Sequence, residues 1–347
     1  MNTTGISAAE RLYGEVCESL ENLEFRERRF WLAGHTVSLQ ANTEVLLEHL
    51  YGAFHHLSIS PGAPSLSIRI GVDECRCFAP DNALDGGQTV GGHRFWTSPD
   101  RRYFSHTLLA SGSWYCIDRA AGEIVGLVRS VSHMATFEQA KPAVRPLLLW
   151  LEQCGLTPVH AGMVSWRGKG ILFGGRGGSG KSTASLSSLL AGLDLLGEDY
   201  TLLEQTEAGA FAGHSLYNSA WVEADHLWRF PGLAGRAIPG DQMANGKCIL
   251  LLHETHPKQL ISVAPVRYLV LPRVCPDGKT ALHKASRADG FKRFALESMV
   301  TLTRLGAAEL DRLRQLVQSV DCYWLDLGAD LDQVGVLLKD LVEREES

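Results

Sequence analysis

Ile171-Leu-Phe-Gly-Gly-Arg-Gly-Gly-Ser-Gly-Lys-Ser-Thr183 decides how this chain of 347 residues is read. Three apolar residues predict a buried strand. Gly175-Arg176-Gly177-Gly178-Ser179-Gly180-Lys181-Ser182 then matches G-x-x-x-x-G-K-[ST] without a mismatch, and Thr183 opens a segment with Leu186, Leu189 and Leu190 on one helical face. Glycines let successive backbone N–H groups converge on phosphate oxygens, and a helix N-terminus behind them adds partial positive charge. A flexible glycine linker is the alternative, but strand, loop and helix stand in the order that phosphate binding requires. The stretch predicts a nucleotide site: residues 175–183 hold the phosphates, Lys181 reaches the β- and γ-phosphates, and the Ser182 hydroxyl takes Mg²⁺.

Working outward, Pro158 to Trp166 is strand-like and Arg167-Gly-Lys-Gly170 is a turn, so the strand entering the loop is expected to be half of a hairpin. Beyond the loop, Leu193 to Leu203 is expected as a second buried strand carrying Glu198-Asp199. That acidic pair follows Lys181 by seventeen residues. Phosphoryl transfer needs a carboxylate for Mg²⁺, and a second can accept the proton of an attacking hydroxyl. An acidic pair elsewhere would be read as a solvated strand end. His160 precedes Lys181 by twenty-one residues. A lone histidine on an apolar strand is more often a core residue, yet this hairpin could turn its imidazole toward the phosphates. Lys247 and Arg273 are candidate cations for γ-phosphate charge, each also readable as a surface cation. His253 and His256 lack the spacing of a zinc helix and are read as loop residues on the surface.

Length allows two domains, expected at 1–154 and 155–347. In the first, Leu12, Val16 and Leu20 predict a helix, Phe30–Leu39 a strand, and Asn42 or Thr43 a cap for a helix with Leu46, Leu47 and Leu50. Leu66, Ile68 and Ile70 mark a strand, 76–100 is read as loop with short strands, and 112–118 with 123–130 as a hairpin. Val144–Cys154 is expected to be helical. Further on, 218–245 is read as irregular, 249–252 and 266–271 as short strands, and two helices carry Leu313, Leu316 and Val317, and Val334, Leu338 and Leu341.

The net charge of −6 argues against a nucleic-acid partner, and no apolar run is long enough to span a membrane. The N-terminal residues lack a signal-peptide pattern, so the expected location is the cytoplasm. The eight cysteines are scattered, with Cys75 and Cys77 the one close pair, so reduced thiols are expected rather than zinc.

His160-Ala-Gly, Gly175-Arg-Gly-Gly-Ser-Gly-Lys-Ser and Gly197-Glu-Asp together resemble the catalytic domain of the HPr kinase/phosphorylase family over about residues 156–204. Shorter patterns, Ser215-Leu-Tyr-Asn-Ser-Ala, Gly246-Lys-Cys, Leu271-Pro-Arg and Cys322-Tyr-Trp-Leu-Asp-Leu-Gly328, resemble a bacterial branch of serine kinases often associated with lasso-peptide maturation. The resemblance implies an α/β phosphate-loop kinase domain of the HPr kinase/phosphoenolpyruvate-carboxykinase type behind an N-terminal α+β accessory domain. It implies transfer from ATP to a serine on a peptide or small protein, with Asp199 as base, Glu198 and Ser182 on Mg²⁺, and His160 and Lys181 at the acceptor and phosphate sides. Three departures stand out: Glu198 replaces the family's first aspartate, Ala161 separates His160 from Gly162, and Ser215–Trp221 stands where the family carries a glutamate-arginine-glycine signature. Phosphorylase activity is therefore not expected. A kinase for free serine, a nucleotide-hydrolysing switch, and assembly as a homo-oligomer all stay open.

Overall fold

The computed structural model describes residues 6–73, 87–241, 245–301 and 306–344. The chain divides into two compact units, residues 1–150 with 240–245, and 151–239 with 246–347. Cys75, Cys77 and much of the predicted 76–100 loop lie outside the described residues.

The first unit is built on an eight-stranded mixed sheet. In spatial order its strands are Arg26–Leu32, His35–Ala41, Leu66–Val72, Glu123–Val128, Ser113–Asp118, Tyr103–Leu108, His93–Thr97 and Gln88–Val90. The predicted strand over 30–39 is instead the turn of a hairpin, because Ala33 and Gly34 both adopt positive φ (44° and 88°), the geometry of a two-residue hairpin loop. Helix Ala8–Leu20 buries Leu12, Val16 and Leu20 against Trp96, Trp114, Val125 and Leu127. Thr43 caps helix Glu44–Tyr51 by accepting the Leu46 N–H. Strand Tyr103–Leu108 was hidden by its mixed composition.

The second unit has a nine-stranded sheet. Its main path runs Asp194–Gly197, Gly162–Trp166, Lys169–Phe173, Val263–Val274, Phe211–Ser215, Thr201–Gln205 and Thr157–Val159, with Asp321–Leu327 and Ala281–Lys284 off that path. The expected hairpin is present: Gly162–Trp166 pairs antiparallel with Lys169–Phe173. Val263–Val274 organises the rest. Its start pairs antiparallel with Phe211–Ser215, while its later residues run parallel to both Lys169–Phe173 and Asp321–Leu327. Strands buried on both faces read as unbroken apolar runs, as Tyr268–Leu271 does.

One face of this sheet packs Val164, Ile171, Phe173 and Val270 against helices Lys181–Leu190 and Asp332–Glu343. The other packs Met163, Leu172, Leu269 and Leu271 against Phe294 and Ala295 of helix Arg287–Thr301 and Leu313, Leu316 and Val317 of helix Ala307–Ser319. The region read as irregular contains a small separate sheet, with Ser219–Glu223 and Ile238–Pro239 flanking Lys247–Leu251.

Two predicted strands are each broken in the middle. Residues 158–166 divide into Thr157–Val159 and Gly162–Trp166, and 193–203 into Asp194–Gly197 and Thr201–Gln205. The two breaks lie opposite one another, because the first half of each stretch pairs antiparallel with the second half of the other. Buried apolar residues flank both breaks, Val159 and Met163 at one and Leu196 and Leu202 at the other.

Candidate functional site

The glycine loop leaves strand Lys169–Phe173 at its C-terminal end and closes on helix Lys181–Leu190. Gly175, Gly178 and Gly180 hold φ of 148°, 76° and 103°, a region that L side chains rarely adopt. At Gly180 a Cβ would also stand 2.3 Å from a Leu327 methyl, so the close approach of strand Asp321–Leu327 excludes any side chain there. Gly177 and Gly178, by contrast, face open space. The first N–H groups of the following helix have no partner within it.

The Lys181 side chain folds back over this loop. Its amine, 7% exposed as a residue, donates to Gly175 O at 2.6 Å and Arg176 O at 3.4 Å. Burial pulls the amine below the usual ammonium range; Glu297, Asp199 and Glu198 oppose that pull, and Lys247 adds to it. Four charged residues from three segments thus act on one amine. Arg176 points outward and is exposed.

The two strand breaks supply the acids and the imidazole. Gly162 is required by crowding: a Cβ there would lie 2.4 Å from Ser185 Oγ and 2.7 Å from Glu198 O. At Gly197 a Cβ would meet Tyr200 O at 2.7 Å. Thr201 Oγ1 donates to Ala161 O at 2.9 Å and ties one bend to the other. His160 and Asp199, thirty-nine residues apart, therefore meet, with Nε2 2.5 Å from the Asp199 carboxylate. Glu198 turns the other way, into the protein (3% exposed), where Oε2 accepts the Trp221 N–H at 3.3 Å. The Ser215–Trp221 stretch, singled out for lacking a familiar signature, ends in this backbone contact.

Glu297 is the residue that sequence reasoning missed. It lies on helix Arg287–Thr301, and its carboxylate stands 2.9 Å from His160 Nδ1, on the opposite edge of the ring from Asp199. The helix was not predicted, because Gly290 interrupts it and its apolar residues are sparse. A glutamate 137 positions from its histidine, by subtraction of 160 from 297, carries no local signal.

Other candidates fall outside this group. Arg273 is committed to Asp326, to which it donates through Nε and Nη2, and its guanidinium lies over the Trp324 ring. Lys247 is one of the charges acting on Lys181 and also stands 3.8 Å from Glu223. His253 and His256, expected at the surface, are half-buried among short 3₁₀ turns, and His253 Nδ1 is 3.1 Å from Asn218 Oδ1. Six described cysteines are free thiols, among them the buried Cys116, Cys248 and Cys322.

The loop suits a phosphate. Gly177 and Gly178 leave open space where side chains would stand, an amine overhangs the loop, and the buried Ser179 Oγ has no hydrogen-bond partner among the described residues. For Mg²⁺ the donors are of the right kind: the Ser182 hydroxyl and the Glu198 carboxylate are hard oxygens. Among the described residues, no group of three or more His, Cys, Asp or Glu is placed to hold a metal ion by itself.

The architecture and site define a mixed α/β protein with a glycine loop beside a carboxylate–imidazole cluster. No protein-family profile matches the chain, and no curated protein does. Among solved structures, the Hpr(Ser) kinase/phosphatase from Coxiella burnetii aligns with 55% of this chain and 95% of its own, at 12% identity and a TM-score of 0.29. That score is too low to carry an argument, so the functional reading rests on the residues themselves. No described helix is long and apolar enough to cross a membrane.

Proposed function

We propose that this chain is an ATP- and Mg²⁺-dependent kinase that transfers the γ-phosphoryl group to a serine hydroxyl on a peptide or small protein, with a lasso-peptide precursor as the leading acceptor. The observation that carries the reading is the neighbourhood of Lys181: a glycine loop holds the amine, and Asp199, already bonded to His160, is close enough for its charge to act on that amine.

The loop N–H groups and Lys181 bind the β- and γ-phosphates and draw electron density from the oxygens where transition-state charge collects. Glu198 and Ser182 would hold Mg²⁺, which supplies further neutralisation of phosphate charge when bound. Asp199 accepts the serine proton as the hydroxyl oxygen attacks, and His160 fixes that carboxylate's direction. Positioning of the two reactants supplies much of the rate. The N-terminal unit is assigned acceptor recognition, the catalytic unit being residues 151–239 with 246–347.

The test is direct. The purified chain is incubated with MgATP and peptides bearing a C-terminal serine, with free serine in parallel, and products are followed by intact mass. A phosphopeptide whose formation drops about 100-fold or more with Asp199→Asn is expected. ATP turnover that is indifferent to every acceptor and to Asp199→Asn would sink the kinase reading and leave a hydrolytic switch.

A further inference from the structure

We propose that Glu297 is a positioning residue that, through His160, makes the Asp199 side of the imidazole the place where the serine proton ends. The inference rests on the kinase reading for its chemistry, though not for its geometry. Asp199 Oδ1 lies 2.5 Å from Nε2 and Glu297 Oε1 lies 2.9 Å from Nδ1, so a carboxylate faces each ring nitrogen. A neutral imidazole carries one N–H and can donate to only one of them. Where Glu297 takes the Nδ1 proton, Nε2 presents a lone pair to Asp199 and is ready to share a proton that Asp199 receives.

The balance is simple. The serine O–H bond breaks as the new O–P bond forms, the bond from the γ-phosphorus to the bridging oxygen breaks, and ADP leaves with that electron pair. The proton passes to the Asp199 carboxylate and then to His160 Nε2. The ring becomes an imidazolium with an anion at either edge, and Glu297 stabilises its positive charge. Glu297 never touches the acceptor. Its carboxylate is only 20% exposed, and it reaches the ring from a helix that contributes no residue to the glycine loop. The charged and titratable groups around the ring and the loop amine are Asp199 and Tyr200 from one bend, Glu297 from the helix, and Glu198, Lys181 and Lys247 through their shared field.

Two measurements decide it. Long-range ¹H–¹⁵N spectra of the imidazoles, with the His160 signal assigned by its loss in His160→Gln, report which nitrogen bears the proton. Protonated Nδ1 is expected in the wild-type protein, and loss of that preference in Glu297→Leu; an unprotonated Nδ1 in the wild type at neutral pH overturns the proposal whether or not the chain is a kinase. In turnover with the phosphorylated acceptor as readout, Glu297→Gln should lower kcat roughly tenfold and leave KM for MgATP unchanged. Glu297→Asp should recover part of the rate. An unchanged kcat in Glu297→Gln overturns it. Absence of any phosphorylated product from the wild type would fall on the kinase reading, and the spectra would still decide the role of Glu297.

Discussion

The two units use charge in opposite ways. In the first, ion pairs sit on regular strands and are satisfied by direct neighbours: Arg69 and the Tyr13 hydroxyl both donate to Glu123, and Arg102 grips Asp118 through two bonds of 2.9 and 2.6 Å. In the second, Glu198, Asp199 and His160 sit where strands break, Lys181 where a helix begins, and Glu297 within a helix. Lys181, Glu198, Asp199, His160 and Glu297 come from four separate segments and share one field. Charge on a regular strand face closes on itself and stops there. Charge placed at an interruption is held by backbone and stays available to a third party.

The largest expected effect separates the two kinds of charge. Lys181→Met should cut phosphoryl transfer by about 1,000-fold or more, since it removes a cation aimed at developing negative charge. Its effect on stability should have the other sign. Burial holds the folded-state amine below the value of an unfolded lysine, so keeping it charged costs stability at low and neutral pH, and the cost fades as pH rises through the folded value. Lys181→Met should therefore unfold at no lower urea concentration than the wild type at pH 7. A marked loss of stability would mean that this lysine belongs with the structural pairs.

Next in size is Gly162→Ala. A Cβ at this bend collides with Ser185 Oγ and with the Glu198 carbonyl, and relief requires the two crossings to separate. We expect a loss of about 1–3 kcal/mol in urea unfolding, together with a loss of turnover larger than the residual instability explains. Full activity in a folded Gly162→Ala protein would uncouple the bends from the site. Ser182→Ala should act more narrowly, raising the Mg²⁺ concentration needed for half-maximal turnover severalfold with the fold untouched; an unchanged Mg²⁺ titration would remove Ser182 from the metal.

The smallest effect belongs to the first unit. Burial would raise the Asp118 carboxyl, but Arg102 and the N–H groups of Ala120 and Ala121 outweigh it and hold it below the usual aspartate range. Its contribution to stability is thus present above that range and is lost as pH falls through the depressed value. Asp118→Asn should be modestly less stable than the wild type at pH 7, and the gap should close as pH falls through the depressed value. A gap that persists in acid would show that something other than ionisation is at work.

How much of this was legible depends on whether the information is local. The glycine loop, its flanking strand and helix, and the hairpin behind it are contiguous, and composition at residues 162–190 names them. Thr43 announces its helix by a side chain next to the N–H it caps. The breaks at 160–161 and 198–200 were not legible as breaks, because apolar residues stand on both sides of them and a polar residue within an apolar run does not by itself mark where a strand ends. Only the pairing of four half-strands reveals that the chain changes partners there. Glu297 was out of reach for a different reason, since its helix has a glycine in its first turn and a half and its role depends on a contact far along the chain. Arg273 misled through its place at a strand end, where Asp326 on the neighbouring strand claims it.

The bond from Thr201 to the Ala161 carbonyl has a consequence for how this protein can vary over generations. Successive side chains on a strand point to opposite faces, so one residue inserted or deleted within 157–166 or 194–203 would throw the imidazole or the carboxylate to the wrong side of the sheet. The exposed turn at Thr206–Gly209, just beyond, carries no such constraint. Length changes among descendants of this chain should therefore gather at that turn and be absent from the two crossings.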